Sequence, residues 1–178
     1  MAALIYLRRL EVADAEALVE MLVRDRSFLD QWEPTRPEGF YTLETHRRRL
    51  GMLQDAVDVA DFGIFLDDGD ELVGRVRLSG ILRGPFENAY LGYFVSERHN
   101  GRGHATEAVR QAVDAAFGEL GLHRVQAAVM PRNVASVRVL EKAGFREEGF
   151  APRYLQIAGA WEDHKLFAVT AEEWPIEA

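Results

Sequence analysis

The segment Val95-Ser-Glu-Arg98-His-Asn-Gly101-Arg-Gly103-His-Ala105-Thr106 constrains this chain more than any other stretch. An apolar run, Ala89-Tyr-Leu-Gly-Tyr-Phe-Val95, reads as a mostly buried strand and leads straight into it. The second glycine then opens a helical pattern that continues to about residue 119 and is ended by Gly121. A helix that starts in this way presents unpaired N–H groups and a partial positive charge, which together make an anion site. Glycine removes the Cβ that keeps a backbone away from phosphate oxygens. A Walker loop is excluded, because no Lys accompanies the glycines. A dinucleotide fingerprint needs a third glycine where Thr106 stands, and it belongs beside the first strand of a domain, not the fourth.

The flanking patterns place this turn inside one α/β domain. Ile5, Leu7 and Leu10 predict a first strand over about 4–10, and Asp14 starts a helix with Ala17, Leu18, Met21 and Leu22 at helical spacing. Residues 27–41 are irregular, with two prolines, a glycine and four aromatics. Thr42 caps a second helix that runs to about Val57 and buries Leu43, Leu50 and Leu53. Phe62–Leu66 and Leu72–Ile81 flank the turn Asp67-Asp-Gly-Asp and predict a hairpin. Val125–Val129 reads as a strand and Asn133–Ala143 as a helix stopped by Gly144. Residues 145–150 and 161–170 read as closing strands on either side of an Ala158-Gly-Ala turn. The order β-α-α-β-β-β-α-β-α-β-β is that of a single domain over 1–178, a mixed sheet of about seven strands with about four helices.

Composition removes several classes of function. With 178 residues, 48% hydrophobic and 28% charged, the chain is long enough for one real core and too apolar for disorder. It has no cysteine, so disulfides, Cys-ligated metal sites and a thiol nucleophile are excluded, and no metal is expected. A net charge of −8 argues against nucleic acid as a partner. Of the 21 basic side chains all but Lys142 and Lys165 are Arg, which reads as coding bias. No apolar run is long enough to span a bilayer, and Met1–Arg9 is too short in apolar residues for a signal peptide. No membrane contact and a cytoplasmic location are therefore expected.

Two motifs together carry a family likeness. Arg98-x-x-Gly101-x-Gly103-x-Ala105 resembles the Arg/Gln-x-x-Gly-x-Gly/Ala signature of the GNAT superfamily of N-acetyltransferases. Asn133-Val-Ala-Ser136-Val-Arg-Val-Leu140-Glu-Lys-Ala-Gly144-Phe145 resembles that superfamily's second cofactor segment, one helix and one strand downstream. Trp32-Glu-Pro, Gly84-Pro-Phe, Ala89-Tyr-Leu-Gly-Tyr, Ala105-Thr-Glu-Ala and Trp161-Glu-Asp-His are similar to the ribosomal-protein-alanine branch, the RimJ/RimL type. The likeness covers about residues 5–175. It implies acetyl-CoA as donor, an amine as acceptor, and a fourth and fifth strand that splay apart.

The resemblance also assigns roles. The pyrophosphate is expected on the N–H groups from Gly101 through Arg102, Gly103 and His104 to Ala105, with Arg98 and Arg102 adding charge. Phe94 and Val95 are expected to offer backbone groups to the pantetheine arm, and Asn133 its side-chain amide, alone or together with a capping role. Many relatives carry a Tyr acid where this chain has Leu140, so Ser136 and Tyr154 are the candidate acids for the leaving thiolate. Relatives often carry a Glu base where this chain has Tyr90; a phenol is a poor base at neutral pH, so proton removal through water is expected. Structural roles are expected for Glu107, Asp163 and His164, and packing beside the cofactor for His104.

The acceptor reads as the α-amine of a protein, perhaps a ribosomal one, framed by Phe28–Tyr41 and the turn around Tyr154. A small-molecule amine and a catalytically weak acyl-CoA sensor are the competing readings. A homodimer is compatible with the chain and has no sequence signal of its own.

Overall fold

The alternating and helical patterns condense into twelve elements, seen in a computed structural model that describes residues 4–174. In chain order they are β1 (Ile5–Arg9), α1 (Ala15–Arg24), α2 (Arg26–Leu29), α3 (Leu43–Leu53), β2 (Val59–Leu66) and β3 (Leu72–Leu82). Then follow β4 (Asn88–Val95), α4 (His104–Phe117), β5 (Arg124–Val129), α5 (Val134–Ala143), β6 (Arg146–Ile157) and β7 (Ala160–Thr170). The seven strands form one sheet in the order β1-β2-β3-β4-β5-β7-β6. Every neighbouring pair is antiparallel except β4 with β5. The expected α/β class, strand count and four longer helices are all present, with α2 as an extra single turn inside the irregular stretch.

Helix ends follow their caps. Thr42 Oγ1 accepts the Thr45 N–H at 3.4 Å and Asn133 Oδ1 accepts the Ser136 N–H at 3.1 Å, so each satisfies one orphan donor at the start of its helix. Gly144, at φ +97, stops α5 in the left-handed region that glycine adopts without strain.

Two element ends differ from the sequence reading. The helix expected to reach Val57 stops at Leu53, because Asp58 already accepts the Ile81 N–H at 3.0 Å and the chain has to turn into the sheet. The strand expected over 145–150 continues to Ile157, past a bulge between Ala151 and Leu155. Pro152, which cannot donate to a ladder, sits in that bulge. The next residue, Arg153, has φ +49, and its N–H is taken by Asp163 Oδ1 at 2.8 Å. That contact accounts for Asp163, whose role is to hold the bulge.

Each face of the sheet buries its own core. Ala108, Val109, Ala112 and Val113 of α4 and Leu140 of α5 pack on Ile64, Val76, Leu91 and Val95. On the other face Leu18, Met21 and Leu22 of α1 and Leu50 of α3 pack on Phe65, Leu72 and Phe94. Alternation along β4 therefore sends Tyr93 and Val95 to the α4/α5 side and Phe94 to the α1/α3 side.

Candidate active site

The parallel pair β4–β5 is joined at only three positions, from Asn88↔Arg124 to Tyr90↔Gln126. Beyond them β4 continues to Val95 and β5 to Val129, each paired only on its far side, with β3 and β7. A gap through the sheet results. The Ser96 N–H bonds Val73 O at 2.7 Å, which sets the antiparallel phase of β3–β4. Alternation then gives the backbone groups of Phe94 to Arg75 across the sheet and turns those of Tyr93 and Val95, beyond the last paired position, into the gap. The same argument from Ala171 N–H on His123 O turns Ala128 of β5 toward it.

An open cleft of about 660 Å³ runs through this gap and is lined from both faces. On the α4/α5 side stand Gly101, Gly103, His104, Ala105, Asn133 and Ser136; on the α1/α3 side stand Phe28, Trp32, Arg36, Gly92 and Phe94. Gly101 and Gly103 have φ +75 and +86, which places both in the left-handed region. A Cβ built on either meets nothing within 4 Å, so the loop is an open cradle. The first N–H of α4 to reach a carbonyl is that of Glu107, on Gly103 O at 3.1 Å, and those before it in the helix are free for a ligand. Behind the cradle lie two buried imidazoles, His99 and His104, with ring centroids 6.3 Å apart. Nε2 of His104 and Nδ1 of His99 make no hydrogen bond, and His99 Nε2 lies 3.5 Å from Glu71 Oε1, beyond a good hydrogen bond. Burial pushes both groups below the usual histidine pKa. Free N–H groups, an open glycine cradle and the buried, unpartnered Nε2 of His104 fit a phosphate-bearing ligand.

The candidate acid Ser136 lies in the first turn of α5, placed there by the Asn133 cap. Its Oγ is 2.8 Å from Tyr93 Oη, and Tyr93 Oη also lies 3.2 Å from Ser136 O. Burial raises the Tyr93 phenol well above its ordinary pKa, so it keeps its proton. Sequence reasoning missed Tyr93, although its hydroxyl on an otherwise apolar strand, two residues before Val95, was a usable signal.

Of the residues expected at the site, Phe94, Val95, Gly101, Gly103, His104, Ala105, Asn133 and Ser136 come together on the cleft. The other four lie off its wall. Arg98 is engaged by Glu71, and Arg102 is exposed in the loop. Tyr90 lies before the gap, 42% exposed, with its ring near Gly80. Tyr154 is carried by the β6 bulge, its ring 5.5 Å from that of His164, which does line the cleft. On the acceptor side Arg132 holds the irregular loop: it donates to Gln31 O at 3.1 Å and to Glu162 Oε1 at 3.4 Å, and it lies 4.9 Å over the Trp32 ring.

A parted β4–β5 pair with a glycine cradle at the end of β4 defines a site for a ligand with a phosphate-rich handle, set in a gap through the sheet. Residues 5–146 match the family described as the acetyltransferase (GNAT) domain, and the chain belongs to that family and is an N-acetyltransferase. It is similar to a Bacillus subtilis protein named "Probable N-acetyltransferase YjcK", 46% identical over 93% of both chains. It is also similar to the [ribosomal protein uS5]-alanine N-acetyltransferase of Escherichia coli, 35% identical over 90% of this chain and 84% of the relative. A solved structure of Mycobacterium smegmatis RimJ in complex with CoA-disulfide superposes with a TM-score of 0.92 at 34% identity, covering 98% of this chain and 85% of that one.

Proposed function

We propose that the chain acetylates the α-amine of a protein N-terminus, a ribosomal protein being the class its named relatives suggest. The observation that carries the reading is the gap between β4 and β5, open on both faces, with a phosphate cradle on one side and an aromatic entrance on the other. Bound at the cradle, acetyl-CoA supplies its acyl group as a thioester, already activated toward an amine. The N–H groups of Tyr93 and Val95 face the gap and polarise a carbonyl held there. Asn133, whose Oδ1 caps α5, keeps its side-chain NH2 for a second carbonyl.

Ser136 and Tyr93 hold the proton that a leaving thiolate needs. Tyr93 stays protonated and resupplies Ser136 across 2.8 Å. Tyr154, one ring away from the cleft behind His164, is the second acid candidate. An α-amine has a pKa of about 7.7–8.0, against about 10.4 for a lysine, and so gives up its proton to water at neutral pH without a base. Glu33 is the single carboxylate among the cleft-lining residues, and it already faces Arg36 at 3.6 Å. Arg36 at the acceptor mouth opposes a polycationic small molecule. The reaction belongs in the cytoplasm, where such N-termini are presented.

Thiol release from acetyl-CoA tests this against a panel: peptides with a free α-amine, the same peptides N-terminally blocked but carrying Lys, a polyamine, and no acceptor. Release with the free α-amine peptides alone is expected. Fastest release with the polyamine or with Lys side chains overturns the reading. Binding of acetyl-CoA without release to any amine favours a sensor.

A further inference from the structure

Four arginines converge beside the acceptor half of the cleft: Arg36 from the irregular loop, Arg49 from α3, and Arg75 and Arg77 from β3. Arg36 lines the cleft, and the Arg75 guanidinium lies 5.5 Å from the ring of Phe94, which also lines it. Arg36 and Arg49 share another ring, with guanidinium carbons 4.8 and 5.2 Å from the centroid of Phe40. Among the described residues two carboxylates answer them. Asp61 stands 3.6 Å from Arg75 Nε and 2.5 Å from Arg77 Nη2, and Glu33 stands 3.6 Å from Arg36 Nη2. Among the described residues Arg49 has neither an ion pair nor a hydrogen bond. Arg36 Nε and Arg77 Nε are buried without a partner. The Arg75 side chain is only 11% accessible and makes no hydrogen bond.

This arrangement is costly as it stands. Partly buried cations without counter-charges destabilise a fold unless something neutralises them, and ring contacts offset only part of that cost. The surplus is local, since the chain as a whole carries −8. Burial and mutual repulsion hold Arg49 down at about 10 and lower Arg75, as expected of cations short of counter-charge. Guanidinium forks match carboxylates in geometry, and here those of Arg36 and Arg49 are held against Phe40 and that of Arg75 against Phe94, a cleft-lining ring.

Resting on the α-amine reading above, we propose that these arginines bind a carboxylate of the acceptor, so that the enzyme selects amines with an acidic group close by. Arg75 is paired directly across the sheet with Phe94, one strand spacing, about 5 Å, from the gap. At about 3.5 Å per residue the acid falls within the first three residues of a peptide. The carboxyl of a free amino acid offers the same chemistry from another source.

The test compares kcat/KM for peptides with Glu at positions 2, 3 or 4 with that for their Gln counterparts, alongside free glutamate and glutamine. A Glu preference of roughly ten-fold or more is expected at one or more of the first two of these positions. Arg49→Gln and Arg36→Gln each reduce it toward unity, whereas Arg49→Lys retains most of it. Arg36 is on a surface loop, so its variant keeps the test alive if Arg49→Gln does not fold. Equal rates on Glu and Gln peptides, or a preference that survives both Gln variants, overturn the proposal while leaving α-amine transfer standing. Turnover of free glutamate with no peptide active keeps the carboxylate site and removes the protein acceptor. No turnover of any member removes both.

Discussion

Acidification should destabilise this protein through His46 in α3. The side chain is 1% exposed, its ring meets that of Phe40 edge-on at 4.9 Å, and its Nε2 has no partner. Burial, then the charges of Arg49 and Arg75, push the imidazole from 6.5 down to about 4. The unfolded chain therefore binds a proton there that the folded chain refuses, over the window between pH 6.5 and 4. Stability is intact above pH 6.5 and falls as pH drops through that window. About 2.5 pKa units at 1.36 kcal/mol each give a loss of ~3 kcal/mol, a large part of the 5–15 kcal/mol of a typical domain. Urea unfolding of the wild type and His46→Gln at steps from pH 7.5 to 4 measures it, because the carboxylates titrate alike in both proteins and cancel in the difference. The wild type should lose ~3 kcal/mol more than the variant, most of it below pH 6. A difference that stays flat with pH, or that grows in favour of the wild type, refutes the reasoning.

Gly103→Val forces a β-branched residue to φ +86 and puts a side chain into the open cradle; calorimetry should show acetyl-CoA affinity falling at least roughly ten-fold, and unchanged affinity refutes the cradle. Ser136→Ala and Tyr93→Phe should each lower kcat by about 10²-fold, and the double variant little further, because the two hydroxyls act as one unit; multiplicative losses say otherwise. Acetyl-CoA should bind more tightly as pH falls from 7.5 to 5.5, since a phosphate favours the protonated form of His99 and His104, both held below 6.5 by burial. His104→Gln should flatten that slope, and an identical slope in the variant rejects the imidazole role.

The local chemistry of this chain was legible without coordinates. Thr42 and Asn133 cap, Gly103 and Gly144 take left-handed conformations, and period-two runs become strands, because each depends on residues within a few positions of one another. The glycine turn before α4 belongs to this class, and so the family was legible too. Elements that end against distant partners were less so: α3 gives way where Asp58 meets Ile81, and β6 outlives its alternating pattern because Asp163 holds the bulge at Arg153.

What the sequence determined by itself is the succession of elements, their caps and the glycine turn ahead of α4, all set by backbone sterics and short-range hydrogen bonding. The tertiary structure alone decided that β7 slots between β5 and β6, and that the splay of β4 and β5 implied by the family likeness begins after Tyr90. It also set Tyr93 against Ser136, 43 residues away, and gathered Arg36, Arg49, Arg75 and Arg77 around two carboxylates. In the linear chain those four arginines look like coding bias, because charge crowding exists only once register and strand order bring the side chains together.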